Sequence, residues 1–66
     1  MTIETMLRLP AVRTATGLSK AGIYAKIKAG VFPRPVKLGE RASAWLASEI
    51  SAWQAQRKAQ RDGSRT

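Results

Sequence analysis

The spacing of hydrophobic positions along the chain changes several times, and each change marks an element. Leu7 and Leu9 flank Arg8, which reads either as a very short strand or as an extended lead-in. From Pro10 the spacing turns helical: Leu9, Val12 and Ala15 or Thr16 share a face, and Arg13 points the other way. Proline is tolerated at the first helical position, where its missing N–H costs nothing. A short first helix is therefore predicted over Pro10–Ala15. Gly17 predicts its end, because glycine takes the left-handed conformation of a helix stop without strain. Leu18 supplies the hydrophobic contact that follows such a stop. Ser19 suits an N-cap, and Ile23 and Ile27, at i and i+4, give a second helix over Lys20–Ala29 a narrow buried stripe. Gly30 ends it. A helix of about six residues, a turn of about three and a second helix of about eleven have the spacing of a helix-turn-helix.

The period changes again after Val31. Pro33 and Pro35 bracket Arg34 and cannot lie inside a helix. Val36 and Leu38 alternate with Lys37 as a half-buried strand does. Gly39-Glu40 predicts a tight turn, and Arg41–Trp45 the returning strand, with Ala42 and Ala44 opposite Ser43 and Trp45. Two short strands around a turn form a β-hairpin, here a wing. A third helix begins near 46–48 and runs to about 58–61, anchored by Ile50 and Trp53. Glu49 in its first turn and Arg57, Lys58 and Arg61 in its last suit the helix dipole. The expected fold is mainly α with a small β-hairpin: a three-helix winged helix-turn-helix over 6–61. A flexible leader, 1–5, precedes this single domain, and a disordered tail, 62–66, follows it. The expected core is Leu7, Leu9, Val12, Leu18, Ile23, Ile27, Phe32, Val36, Leu38, Trp45, Ile50 and Trp53.

Composition narrows the function. In 66 residues there are 12 Lys and Arg against 4 Asp and Glu, a formal charge of +8. Such an excess fits a polyanionic partner: nucleic acid, an anionic membrane or an acidic protein. A core this small leaves no volume for a deep substrate pocket. The chain contains no Cys and no His, so thiolate or zinc sites and His-assisted nucleophiles are excluded. Glu4, Glu40, Glu49 and Asp62 are scattered and do not converge on acid–base chemistry. No apolar run reaches the length of a transmembrane helix, and Met1–Pro10 lacks the apolar stretch of a signal peptide. The expected protein is not an enzyme, needs no cofactor, metal or small-molecule ligand, and works in the cytoplasm at the nucleoid.

Duplex DNA asks for a helix that fits the major groove and for cations on the flanking phosphates. The second helix offers both. Ser19 and the open N–H groups beside it suit a phosphate. Lys20, Tyr24 and Lys28 form a row at i, i+4 and i+8, with Lys26 to one side. The competing reading is a solvated basic face, and Tyr24 has two roles open to it, contact with DNA or packing on the domain. In the wing, Arg34, Lys37 and Arg41 are the second candidate group, for a minor groove or for phosphate; alternatively Arg41 pairs with a carboxylate of the domain. Arg8 and Arg13 are weaker phosphate candidates. Trp45 and Trp53 read as core rather than as stacking platforms.

Several stretches taken in order resemble a known family: Gly17-Leu18-Ser19 followed by Ile23-Tyr24, the run Gly30 to Gly39, Arg41, Ala44-Trp45, Glu49-Ile50 and Ala52-Trp53. Together they are similar to the AlpA family of small phage-type regulators, over roughly Leu7 to Arg57. These are winged-helix proteins related to the DNA-binding domain of the MerR group and to phage excisionases. Where that family usually has small hydroxyl residues after the basic residue opening the second helix, this chain has Ala21-Gly22. The resemblance implies sequence-specific duplex binding and regulation of a prophage or mobile-element gene. Its alternative is an excisionase that bends DNA for an integrase. Partners expected beside DNA are further copies of the chain, an integrase or RNA polymerase. A basic membrane-surface protein and a protein-interaction or inhibitor module are the rival classes. The Gly/Pro-rich wing region argues against the first, since a membrane-surface helix needs one continuous apolar face.

Overall fold

The computed structural model describes residues 3–63. Along the chain these form β1 (Met6–Leu7), α1 (Leu9–Thr16), α2 (Lys20–Lys28), β2 (Val36–Lys37), β3 (Ser43–Leu46) and α3 (Ala47–Gly63). The three strands make an antiparallel sheet in the order β1-β3-β2. Three helices with this small sheet are the architecture of a winged helix-turn-helix, as the hydrophobic pattern predicts.

The helix boundaries follow from local chemistry. α1 starts one residue before Pro10, which is at home there because the first turn has no intrahelical acceptors for its N–H groups. Gly17, at φ 73°, closes the helix by donating its N–H to the Arg13 carbonyl at 2.9 Å. Ser19 caps α2: its Oγ accepts from the Gly22 N–H at 3.0 Å. At the other end Gly30, at φ 78°, donates to Ile27 O, and Val31 donates to Lys26 O. This pair of bonds is the Schellman closure that a left-handed glycine permits.

The core joins all the layers. Val12, Ile23, Phe32, Trp45 and Ile50 are buried together, with Leu7, Leu9, Leu18, Ile27 and Trp53 packed around them. Trp45 is fully buried, and its Nε1 donates to the Pro33 carbonyl at 3.0 Å, so no polar atom is stranded. Phe32 meets the Trp53 ring edge-on at 5.1 Å.

Several expectations need correction. Val36 and Leu38 are not core: they are 38% and 51% exposed. Their alternation does mark a strand, but β2 is an edge strand and the wing stands away from the helices. Ala44 is fully buried instead, on the central strand. The wing turn is wider than Gly39-Glu40: Leu38 and Gly39 N–H groups both donate to Ala42 O, and the returning strand begins at Ser43. Arg41 therefore lies in the turn. The lead-in is a strand at Met6–Leu7, paired with Trp45 and Leu46. Of the expected leader, Glu4 and Thr5 are tied down. The Thr5 carbonyl accepts from Ala47 N–H at 2.9 Å, and Glu4 Oε1 accepts from Ser48 N–H at 2.8 Å. Of the expected tail, Asp62 and Gly63 belong to α3. Residues 1–2 and 64–66 lie outside the described residues.

Candidate nucleic-acid interface

α2 is gripped from one side by Ile23, fully buried, and Ile27, half-buried. At roughly 100° per residue the other positions distribute around the rod in a fixed way. Lys20, Tyr24 and Lys28 form one edge of the outward face, and all three are exposed. Gly22 and Lys26, both half-buried, form the opposite edge. Ala21 and Ala25, both exposed, occupy the centre. The outward face is thus low in the middle and cationic at its borders. Charge does not mark this centre in the sequence; two small residues four apart, opposite the isoleucines, do.

Tyr24 packs on the domain without being covered by it. Its ring meets Trp45 edge-on at 6.4 Å, yet the residue remains 43% exposed. Trp45 is a buried core side chain and is not available for stacking on a base. Ser19 spends its hydroxyl on the α2 cap and borders a separate depression with Arg13 and Thr14. That cap also takes the Gly22 N–H, which leaves the N–H groups of Lys20 and Ala21 at the open helix end.

In the wing region, Arg34, Lys37 and Arg41 are all exposed. Of the sequence-selected residues, the fold brings Lys20, Tyr24, Arg41 and the weaker candidate Arg8 to a single cleft of about 270 Å³ between α1, α2 and the wing, and it adds Ser43. It does not bring Lys26, Lys28, Arg34 or Lys37 there. No carboxylate lines this cleft. Among the described residues the one ion pair is Arg61 with Asp62, on exposed α3, so the expected alternative for Arg41, a carboxylate partner, is not realised. A larger groove of about 510 Å³, between Gly30–Pro33 and α3, is different in kind. It holds Glu49, and its cation Arg57 lies over the Trp53 ring at 5.7 Å. Electrostatically, the smaller cleft and the α2 face are the ground suited to a polyanion.

Among the described residues no three His, Cys, Asp or Glu side chains gather as a metal site. No helix there is long and apolar enough to cross a membrane.

The same stretch of chain matches known proteins. The family model described as Prophage CP4-57 regulatory protein (AlpA) matches residues 5–58. An uncharacterized protein, ORF88, of Enterobacteria phage P4 is 48% identical over 61 residues, covering 92% of this chain and 69% of its own length. The DNA-binding transcriptional activator AlpA of Escherichia coli K12 is 36% identical over 58 residues, covering 79% of this chain and 83% of its own. The matched region runs from the Thr5 tie through both helices of the helix-turn-helix, the wing and most of α3. With fold and sequence in agreement over that span, the chain belongs to the AlpA family of prophage regulatory proteins.

Proposed function

We propose that this protein is a sequence-specific duplex-DNA binder that regulates transcription of a prophage or mobile-element gene. In this reading α2 enters the major groove and the wing lies on the backbone or minor groove. The observation that carries it is the outward face of α2, with Ala21 and Ala25 at its centre and Lys20, Tyr24 and Lys28 along one border. Small central residues let a helix approach the base edges closely and offer methyl contact to thymine, while long cations at the rim reach phosphates. Lys26 serves the opposite border, and Ser19 with the open α2 N-terminus receives a phosphate. Arg34, Lys37 and Arg41 supply the wing contacts. The Escherichia coli relative, described as a DNA-binding transcriptional activator, supports the same reading. The protein then acts at the nucleoid, in the cytoplasm.

A single module of this kind covers only about 600–1,000 Å² of protein surface at DNA. Specificity therefore comes from several copies at repeated sites, or from help by an integrase or RNA polymerase. Titration of the region upstream of the protein's own gene tests the reading. With about five cations on phosphates, log affinity falls against log salt with a slope of roughly −4 to −5. A slope near zero, or binding no tighter than to an unrelated duplex of equal length, refutes it.

A further inference from the structure

Three basic residues from three separate elements line one cleft. Arg8 stands at the start of α1, Lys20 at the start of α2 and Arg41 in the wing turn, and all three line the space of about 270 Å³. None of them has a carboxylate partner among the described residues. Tyr24 and Ser43 also line it, and neither hydroxyl is taken up by a protein partner there. Three like charges around one opening raise its potential, and an anion between them relieves that repulsion. The Arg8 side chain does not cap α1. The positive end of that helix, at Leu9 and Pro10, therefore borders the same space.

The aromatic wall is held in place. Tyr24 leans edge-on against Trp45, which is fully buried and pinned through its Nε1 to the Pro33 carbonyl. At about 270 Å³ and open to solvent, the cleft admits a phosphate group from outside.

We propose that the Arg8–Lys20–Arg41 cleft seats one backbone phosphate of duplex DNA, so that α1, α2 and the wing close on the same phosphodiester. The proposal rests on the duplex-binding reading. It raises Arg8, a lesser phosphate candidate by sequence, to a contact beside α2 and the wing, and it makes the two reading elements share one anchor. A phosphate held from three sides sets the angle between α2 and the wing, and with it the register of α2 on the bases.

The test compares Arg8→Gln, Arg41→Gln and their double variant with Lys58→Gln, which removes the same charge from exposed α3. Affinity for a labelled duplex of the upstream region is read by anisotropy at one salt concentration, with circular-dichroism melts to confirm folding. Arg8 makes no side-chain bond within the domain, so its variant folds; if it does not, the same cycle on Lys20→Gln and Arg41→Gln, the other two cleft cations, carries the test. Each single cleft variant weakens binding about tenfold, the loss expected for a charge-assisted hydrogen bond. Lys58→Gln stays within about twofold of the parent, as a distant exposed charge should. Once one sharing cation is gone the phosphate already sits off its seat, so the second has less to lose. The double variant therefore falls short of the product of the single effects by a factor of about two or more. Losses that simply multiply, or an Arg8→Gln effect equal to that of Lys58→Gln, overturn the shared seat and leave duplex binding standing. A parent protein that does not hold the duplex overturns both.

Discussion

Trp45 and Gly22 show how single positions serve the outward face of α2. Trp45 fills the centre of the core and backs the Tyr24 ring, so burial on one side steadies an exposed side chain on the other. Gly22 lies in the first turn of α2, where glycine costs about 1 kcal/mol against alanine. A Cβ added there would stand 3.3 Å from Ser19 Oγ, the atom that caps the helix. An alanine there would require the cap to give by a few tenths of an ångström. Glu4 does similar work from a distance. Its carboxylate accepts the Ser48 N–H and so caps α3 from a residue 44 positions away. Hydrogen bonding from Ser48, through its side chain and its backbone N–H, holds the Glu4 carboxyl below its ordinary value of 4.5. A carboxyl lowered in the folded state contributes stability that is present above its unfolded value and is lost as pH falls through the folded one. In melts from neutral pH to about pH 3, Glu4→Ala is the less stable protein near neutrality, and the gap to the parent closes below about pH 4.5. A gap that stays constant across that range would show that the carboxylate charge plays no part.

At the level of elements, what was legible in the sequence is what short-range chemistry decides. Gly17, Ser19 and Gly30 announce the ends of α1 and α2 because each acts on groups within a few residues. The basic row of α2 was legible for the same reason, being a matter of helical spacing alone. The ties that orient the elements were not. Ala47 to Thr5, Ser48 to Glu4, and the Gln54 side chain to the Ala15 carbonyl at 2.7 Å all join distant parts of the chain. Val36 and Leu38 misled because period-two alternation says that two side chains share a face and not that anything covers it. Arg8 escaped weight because its place in the cleft depends on how α1 meets the wing. α3 divides along the same line. Its first half is held by Ile50, Trp53 and Gln54, whereas everything from Gln54 to Gly63 is exposed. An unsupported helical stretch of that length is marginal in water. Ending the chain after Arg57 keeps every packed residue, including the cation over Trp53. The melting temperature should therefore change by no more than about 4 °C, equivalent to about 1 kcal/mol or less. A collapse of the cooperative melt would mean that the last turns are held by something other than the core.

On the scale of the whole molecule, charge sets two responses to salt that run in opposite directions. The formal charge of +8 is spread over a body of 46 × 31 × 20 Å. The one ion pair among the described residues, Arg61 with Asp62, does little to offset it, since exposed pairs contribute about 0–1 kcal/mol. At ~0.01 M salt the screening length is about 30 Å, so most of the cations feel one another; at ~0.1 M it is about 10 Å and only neighbours do. The unfolded chain spreads the same charges farther apart, and its repulsion is smaller at either salt. Raising salt across that interval therefore stabilises the folded protein, by on the order of 1 kcal/mol or about 4–8 °C in a domain of this size. Over the same interval affinity for duplex DNA drops steeply, because the cations that repel one another are those whose counterions a polyanion displaces. Calorimetric melts in sodium chloride, set beside duplex titrations in the same buffers, check both signs together. A melting temperature that falls with added salt would mean that attractive pairs outweigh the repulsion. The open cationic surface on which the interface depends would then not exist in solution.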